Sequence, residues 1–166
     1  MKKVTSTKSN KEMAKVFRKV GDWFMDLPDD TQVGMGVDYS NAEIKRGKHH
    51  GMPASPAGFL AILYKTPTQA MLCHCRTVKQ CRYSKDGARA FAKDLGFHYD
   101  SVRDLVDWLY ENPDLWGSGR GSAIFSRWES AYNEGEKEYR YGELTTKAIG
   151  EKFLAVAGRL EKTKEV

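Results

Sequence analysis

Cys73, His74, Cys75 and Cys81, with His49 and His50 upstream, are residues whose types could hold a zinc ion. Structural zinc sites pair thiolate and imidazole ligands about two to four residues apart, and Cys-x-Cys is tighter than that. A free cysteine is also a small hydrophobe that cores readily absorb. The spacing assigns no metal ligand here, and no cofactor is implied elsewhere in the chain.

Trp116-Gly117-Ser118-Gly119-Arg120-Gly121-Ser122 is glycine-rich and leads toward a helical pattern. Its amides could cradle an anion with Arg120 assisting. No phosphate-loop Gly-Lys-Ser/Thr follows, so a flexible connector able to touch a phosphate or a carboxylate is the expectation. For catalysis the inventory is thin. His98 and Asp100 are close in sequence, but neither has a nucleophile beside it. Asp104 and Asp107 lie one helical turn apart, as charges on a solvated face do routinely. An enzyme is the less favoured reading.

Charge carries more information. The 166 residues have a formal net charge of +5. Residues 1–20 hold Lys2, Lys3, Lys8, Lys11, Lys15, Arg18 and Lys19 against Glu12 alone. Residues 74–93 hold Arg76, Lys79, Arg82, Lys85, Arg89 and Lys93 against Asp86 alone. From Asp94 to Glu143 the sign reverses, with eleven acids against five bases. Such an electrically two-sided chain steers charged partners without naming them.

These residues must be positioned by helices. Ser9-Asn10-Lys11-Glu12 is a capping box, and Met13, Val16, Phe17, Val20, Phe24 and Leu27 follow at helical spacing until Pro28. That predicts a helix over 10–27 behind a loose basic stretch, 1–9. Asp29 to Ala54 has neither helical nor strand period and reads as a long loop, with Lys45-Arg46-Gly47-Lys48-His49-His50 as its basic tip. Ser55-Pro56 and Thr66-Pro67 suggest helices over 56–65 and 67–81. The alternative is a small β-hairpin within 58–76, because short apolar runs do not settle period.

Further helices are expected over 85–95, 101–112, 122–133 and 145–161, with a polar loop between Asn133 and Tyr141 and a frayed tail over 162–166. The fold class is mainly α: a compact single-domain bundle of about six to seven helices over 10–161. The length suits one such domain. No apolar run is long enough to span a bilayer. No apolar segment follows the basic Met1–Asn10, so no secretory signal is expected. The odd number of cysteines points to a reducing compartment, hence the cytoplasm.

Within 88–108, Ala92, Gly96, Val102 and Leu105 fall at the offsets of a small contact residue, a turn glycine and two core aliphatics. The unit resembles the helix-turn-helix of repressor-like DNA-binding proteins. That resemblance implies a second helix in the major groove with His98, Tyr99, Asp100, Arg103, Asp104 and Asp107 outward. Carboxylates facing phosphates are repelled, which opposes base reading.

Two functions follow. The leading one is a non-enzymatic protein-binding module, a regulator or inhibitor, that docks on a basic partner, such as a nucleic-acid-binding protein. Its surface would comprise Asp100, Arg103, Asp104, Asp107, Trp108, Trp116 and Arg120, with Tyr110 nearby, because aromatics beside charge are what interfaces use. The alternative is nucleic-acid binding through Lys45, Arg46, Lys48, His49, His50 and Arg89, contacting phosphates without reading bases.

Overall fold

The computed structural model describes residues 5–33, 39–66, 85–98, 101–116 and 145–163. Seven helices and no strand occur among these residues: α1 (Asn10–Asp26), α2 (Asn41–Arg46), α3 (Pro56–Tyr64), α4 (Lys85–Asp94), α5 (Ser101–Glu111), α6 (Pro113–Trp116) and α7 (Thr146–Lys162). Two isolated bridges, Gln32 with Thr145 and Val33 with Ala54, are the extended pairings seen there.

The mainly helical expectation is met. The hairpin alternative fails at its first limb, because Phe59 to Tyr64 are helical. Ser55 caps α3 by accepting from the Gly58 amide at 3.1 Å, and Pro56 is pre-shaped for its first turn. The expected helices over 67–81 and 122–133, the loop over 133–141 and Cys73, Cys75 and Cys81 lie outside the described residues.

Helices α1 and α7 run antiparallel. Arg18 meets Glu161 at 2.6 Å near one end, while Lys147 at the start of α7 reaches the end of α1. Gly21 and Gly150 make the crossing close. A Cβ on Gly21 would stand 2.7 Å from Leu154 Cγ, and one on Gly150 would stand 3.0 Å from the Gly21 carbonyl. The pair buries Phe17, Phe24 and Phe153, joined by Phe91 from α4 and Phe59 from α3. Phe17 and Phe91 pack edge to face at 5.5 Å, as do Phe24 and Phe59 at 5.7 Å. Each of these rings contributes about 1.5–3 kcal/mol through burial, so this aromatic centre fixes how the helices meet.

Helix α3 is buried along its whole first seven residues, as a helix apolar on every side must be. It lies against α4, where Gly87 permits near-contact of backbones: a Cβ there would stand 2.6 Å from the Ala57 carbonyl oxygen. Helix α4 in turn packs on α5. Gly96, with φ +89°, turns the chain out of α4. Ala92, Leu95, Val102 and Leu105 are buried as expected. The link between the two helices includes residues 99–100, outside the description, so the helix-turn-helix likeness stays an expectation.

Three expectations are corrected. Ser6 to Lys8 are not loose: Thr7 N–H donates to the Gly96 carbonyl at 3.0 Å, and Ser6 Oγ donates to the Leu95 carbonyl at 2.5 Å. This segment satisfies carbonyls left open at the end of α4. The stretch 29–54 is not all loop, since α2 forms there behind a capping box of Ser40 and Glu43 and buries Ile44. The tail from Lys162 is also partly ordered: Lys162 ends α7, and Thr163 Oγ1 donates to the Arg159 carbonyl at 2.9 Å.

Candidate functional site

Helix α5 places its charges by period. Val102, Leu105, Trp108 and Leu109 face the core, leaving Arg103, Asp107 and Tyr110 at i, i+4 and i+7 along the other side. Tyr110 is 59 % exposed, the most exposed large hydrophobic among the described residues. Exposed Glu111 follows it, and Asp114 adds another exposed carboxylate from α6. Arg103 Nε lies 3.8 Å from Asp107 Oδ2, a solvated pair four residues apart. Asp104 is half-buried beside them.

The fold does not require this acidity. A helix C-terminus carries about half a unit of negative charge and favours cations. The last turn of α5 has no basic residue, and Glu111 ends it. The end is closed instead by Asn112, whose Nδ2 donates to the Trp108 carbonyl at 2.8 Å. Placing carboxylates against the negative end of a dipole is mildly destabilising, by a few tenths of a kcal/mol each, and it deepens the negative potential around Tyr110.

Of the residues expected at this surface, Arg103, Asp104 and Asp107 are on α5 together. Trp108 is not available. It is 7 % exposed and packs against Phe97 at 5.6 Å, because a position one turn from Leu105 points at the core. Trp116 ends α6, but its side chain, like Asp100 and Arg120, lies outside the described residues. Of the aromatics expected near this face, Tyr110 is the one seen facing outward, at i+7 from Arg103.

The basic residues divide differently. Lys8, Lys19 and Tyr64 converge on Asp94: Tyr64 donates to Asp94 Oδ2 at 2.8 Å, Lys8 Nζ lies 3.4 Å from Oδ1, and Lys19 pairs with Oδ2. Burial alone would raise the Asp94 carboxyl, but hydrogen bonds from Lys19 and Tyr64 hold it below its ordinary value. Burial, then the bond to Asp94, pushes the Tyr64 phenol far upward. Lys147 closes the end of α1 through the Met25 and Leu27 carbonyls, and Arg159 Nη1 closes α6 on the Leu115 carbonyl at 2.5 Å. Arg89 stands 4.0 Å from Asp86 on its own helix. Lys8, Lys19, Lys147 and Arg159 thus fasten one element to another.

Lys45, Arg46 and Lys48 remain exposed at the end of α2. The two histidines beside them make contacts within the fold. Gly51 N–H donates to His49 Nδ1 at 3.2 Å, so that nitrogen is unprotonated, and the rings of Tyr39 and Phe59 flank His49. Burial lowers its pKa. His50 Nε2 lies 3.2 Å from Glu43 Oε1. Among the described residues no group of three His, Cys, Asp or Glu side chains could hold a metal ion, and no helix is long and apolar enough to cross a membrane. No known protein family, curated protein or solved structure matches this chain.

Proposed function

We propose that this protein is a non-enzymatic binding module, a regulator or inhibitor that docks on a basic protein partner through the acidic face of α5 and α6. The observation that carries the reading is the exposed Tyr110 on the helix that also carries Asp107 and Glu111, with exposed Asp114 on the short helix that follows. A tyrosine adds a large, stiff contact area and a face on which an arginine can stack. Carboxylates around it pair with that arginine's neighbours and speed the encounter. A partner that itself binds nucleic acid offers such a surface, since carboxylates can sit where its phosphates would. The face is carried on two successive helices, of which Asn112 caps α5 and Arg159 ties α6 to α7.

The test uses the full chain as bait in nuclease-treated lysate. The captured protein is identified, purified and titrated against wild type, Tyr110→Ala and the Asp104→Lys/Asp107→Lys variant. A basic partner whose affinity falls at least tenfold in both variants supports the reading. Equal affinity for all three proteins overturns it.

A further inference from the structure

A second charged surface shares no residue with the α5 face and takes its members from two helices. Gly47, at φ +64°, and Lys65, at φ +53°, both end helices in the left-handed conformation. Helices α2 and α3 are in contact, and their caps lie together: the position of a Gly47 Cβ is 2.9 Å from Lys65 Cε and 3.4 Å from Lys65 Cγ. The Lys65 stem therefore crosses the bare backbone of Gly47. Its charge joins the end of α2, where Lys45, Arg46 and Lys48 are exposed.

Lys65 is the one non-glycine residue with positive φ among those described. Its capping role needs only the backbone amide, which donates to the Ile62 carbonyl at 3.2 Å. Glycine would supply that amide without strain. The chain instead keeps a left-handed lysine whose stem lies against the end of α2, the helix end that carries Lys45, Arg46 and Lys48. The two helix ends together offer about one unit of negative charge, too little to balance four cations. Glu43 is the nearby carboxylate; it accepts from the Ser40 amide at 2.9 Å, faces His50 and feels the Arg46 charge, so one acid is shared among these bases. A left-handed lysine beside a helix end with three further exposed cations, and one shared carboxylate, points to use of the side chains themselves.

We infer that Lys45, Arg46, Lys48 and Lys65 form a contact patch for the phosphate backbone of nucleic acid. A single small anion does not fit this corner, because both helices present their carbonyl ends there and the four side chains are exposed, without a buried donor. Long, solvated cations spread over two helix ends suit the repeating charge of a polymer, contacted without base reading. The patch is independent of the α5 face: α3 and α4 stand between the two in the chain of packed helices.

The experiment measures binding of the full chain to a fluorescent mixed-sequence DNA duplex between about 50 and 200 mM salt. Four phosphate contacts give a log–log salt slope near −3.6, so affinity falls roughly a hundredfold over that range. Lys65→Gly removes one contact without disturbing the cap; its slope shrinks by about one while the melting temperature holds or rises. Lys45→Glu/Arg46→Glu/Lys48→Glu abolishes binding. Asp104→Lys/Asp107→Lys retains it, which separates this patch from the α5 reading. Unchanged binding in the triple variant, or an unchanged slope in Lys65→Gly, overturns the inference. So does uptake onto phosphatidylserine vesicles with no binding to the duplex.

Discussion

Tyr64 at the end of α3 donates its hydroxyl to Asp94 at the end of α4, at 2.8 Å. Lys19 of α1 pairs with the same carboxylate, with its ammonium 4.6 Å from the Tyr64 ring centre, and Lys8 reaches it from the N-terminal segment. One half-buried acid thus joins three helices and the segment before α1.

The Asp94 carboxyl is held below its ordinary value, so its contribution is present above the unfolded pKa and is lost as pH falls through the folded one. Wild type should lose stability below about pH 4 more steeply than Asp94→Asn. At pH 7 the variant should be less stable by about 1–2 kcal/mol. Urea unfolding at pH 7 and pH 3 checks both, and parallel curves for the two proteins would falsify the assignment.

His49 follows the same sign as Asp94, although its deprotonated form is neutral rather than charged. Its ring is neutral in the fold, and its Nδ1 accepts from Gly51. Burial lowers its pKa, against the raising effects of the Met52 carbonyl and the Asp30 charge, while neighbouring His50 lowers it further. The unfolded chain therefore binds the proton more readily, and stability falls as pH drops below about 6.5. Proton NMR of the His49 ring should give a midpoint below that value. A midpoint above it contradicts the assignment.

Gly87→Ala probes the contact between α3 and α4. In an open helix alanine would gain up to about 1 kcal/mol over glycine. Here the added methyl meets the Ala57 carbonyl, and the helices must separate. Thermal unfolding should show a net loss of about 1–3 kcal/mol. A stabilised variant would mean the helices do not approach so closely.

Trp108 and Tyr110 are two residues apart on α5, and their truncations should differ sharply. Trp108→Ala opens the core beside Phe97 and should cost about 3–5 kcal/mol. Tyr110→Ala should stay within about 0.5 kcal/mol of wild type. Denaturant unfolding of both variants measures the contrast. Equal losses would place both rings in the core.

Much of the helical frame was legible because its signals are local. Ser9 and Glu12 mark the start of α1, and the i, i+3, i+4 apolar stripe carries it to Asp26. Helix α2 escaped because six residues cannot display a period, although Ser40 and Glu43 repeat the capping box of Ser9 and Glu12. The fastening of helix ends by Lys8, Lys147 and Arg159 was not readable, since each joins residues at least 44 positions apart in the chain. The same long-range packing decided the site. Trp108 was expected at the docking surface, and packing against Phe97 holds it in the core; Lys65 met the basic tip only once α3 lay beside α2.

Hydrogen exchange of the full chain, with and without its purified basic partner, tests the docking face most directly. Slowed exchange confined to residues 101–116, and absent in the Asp104→Lys/Asp107→Lys variant, is the result predicted. Protection confined to residues 40–50, or none anywhere at saturating partner, would contradict it.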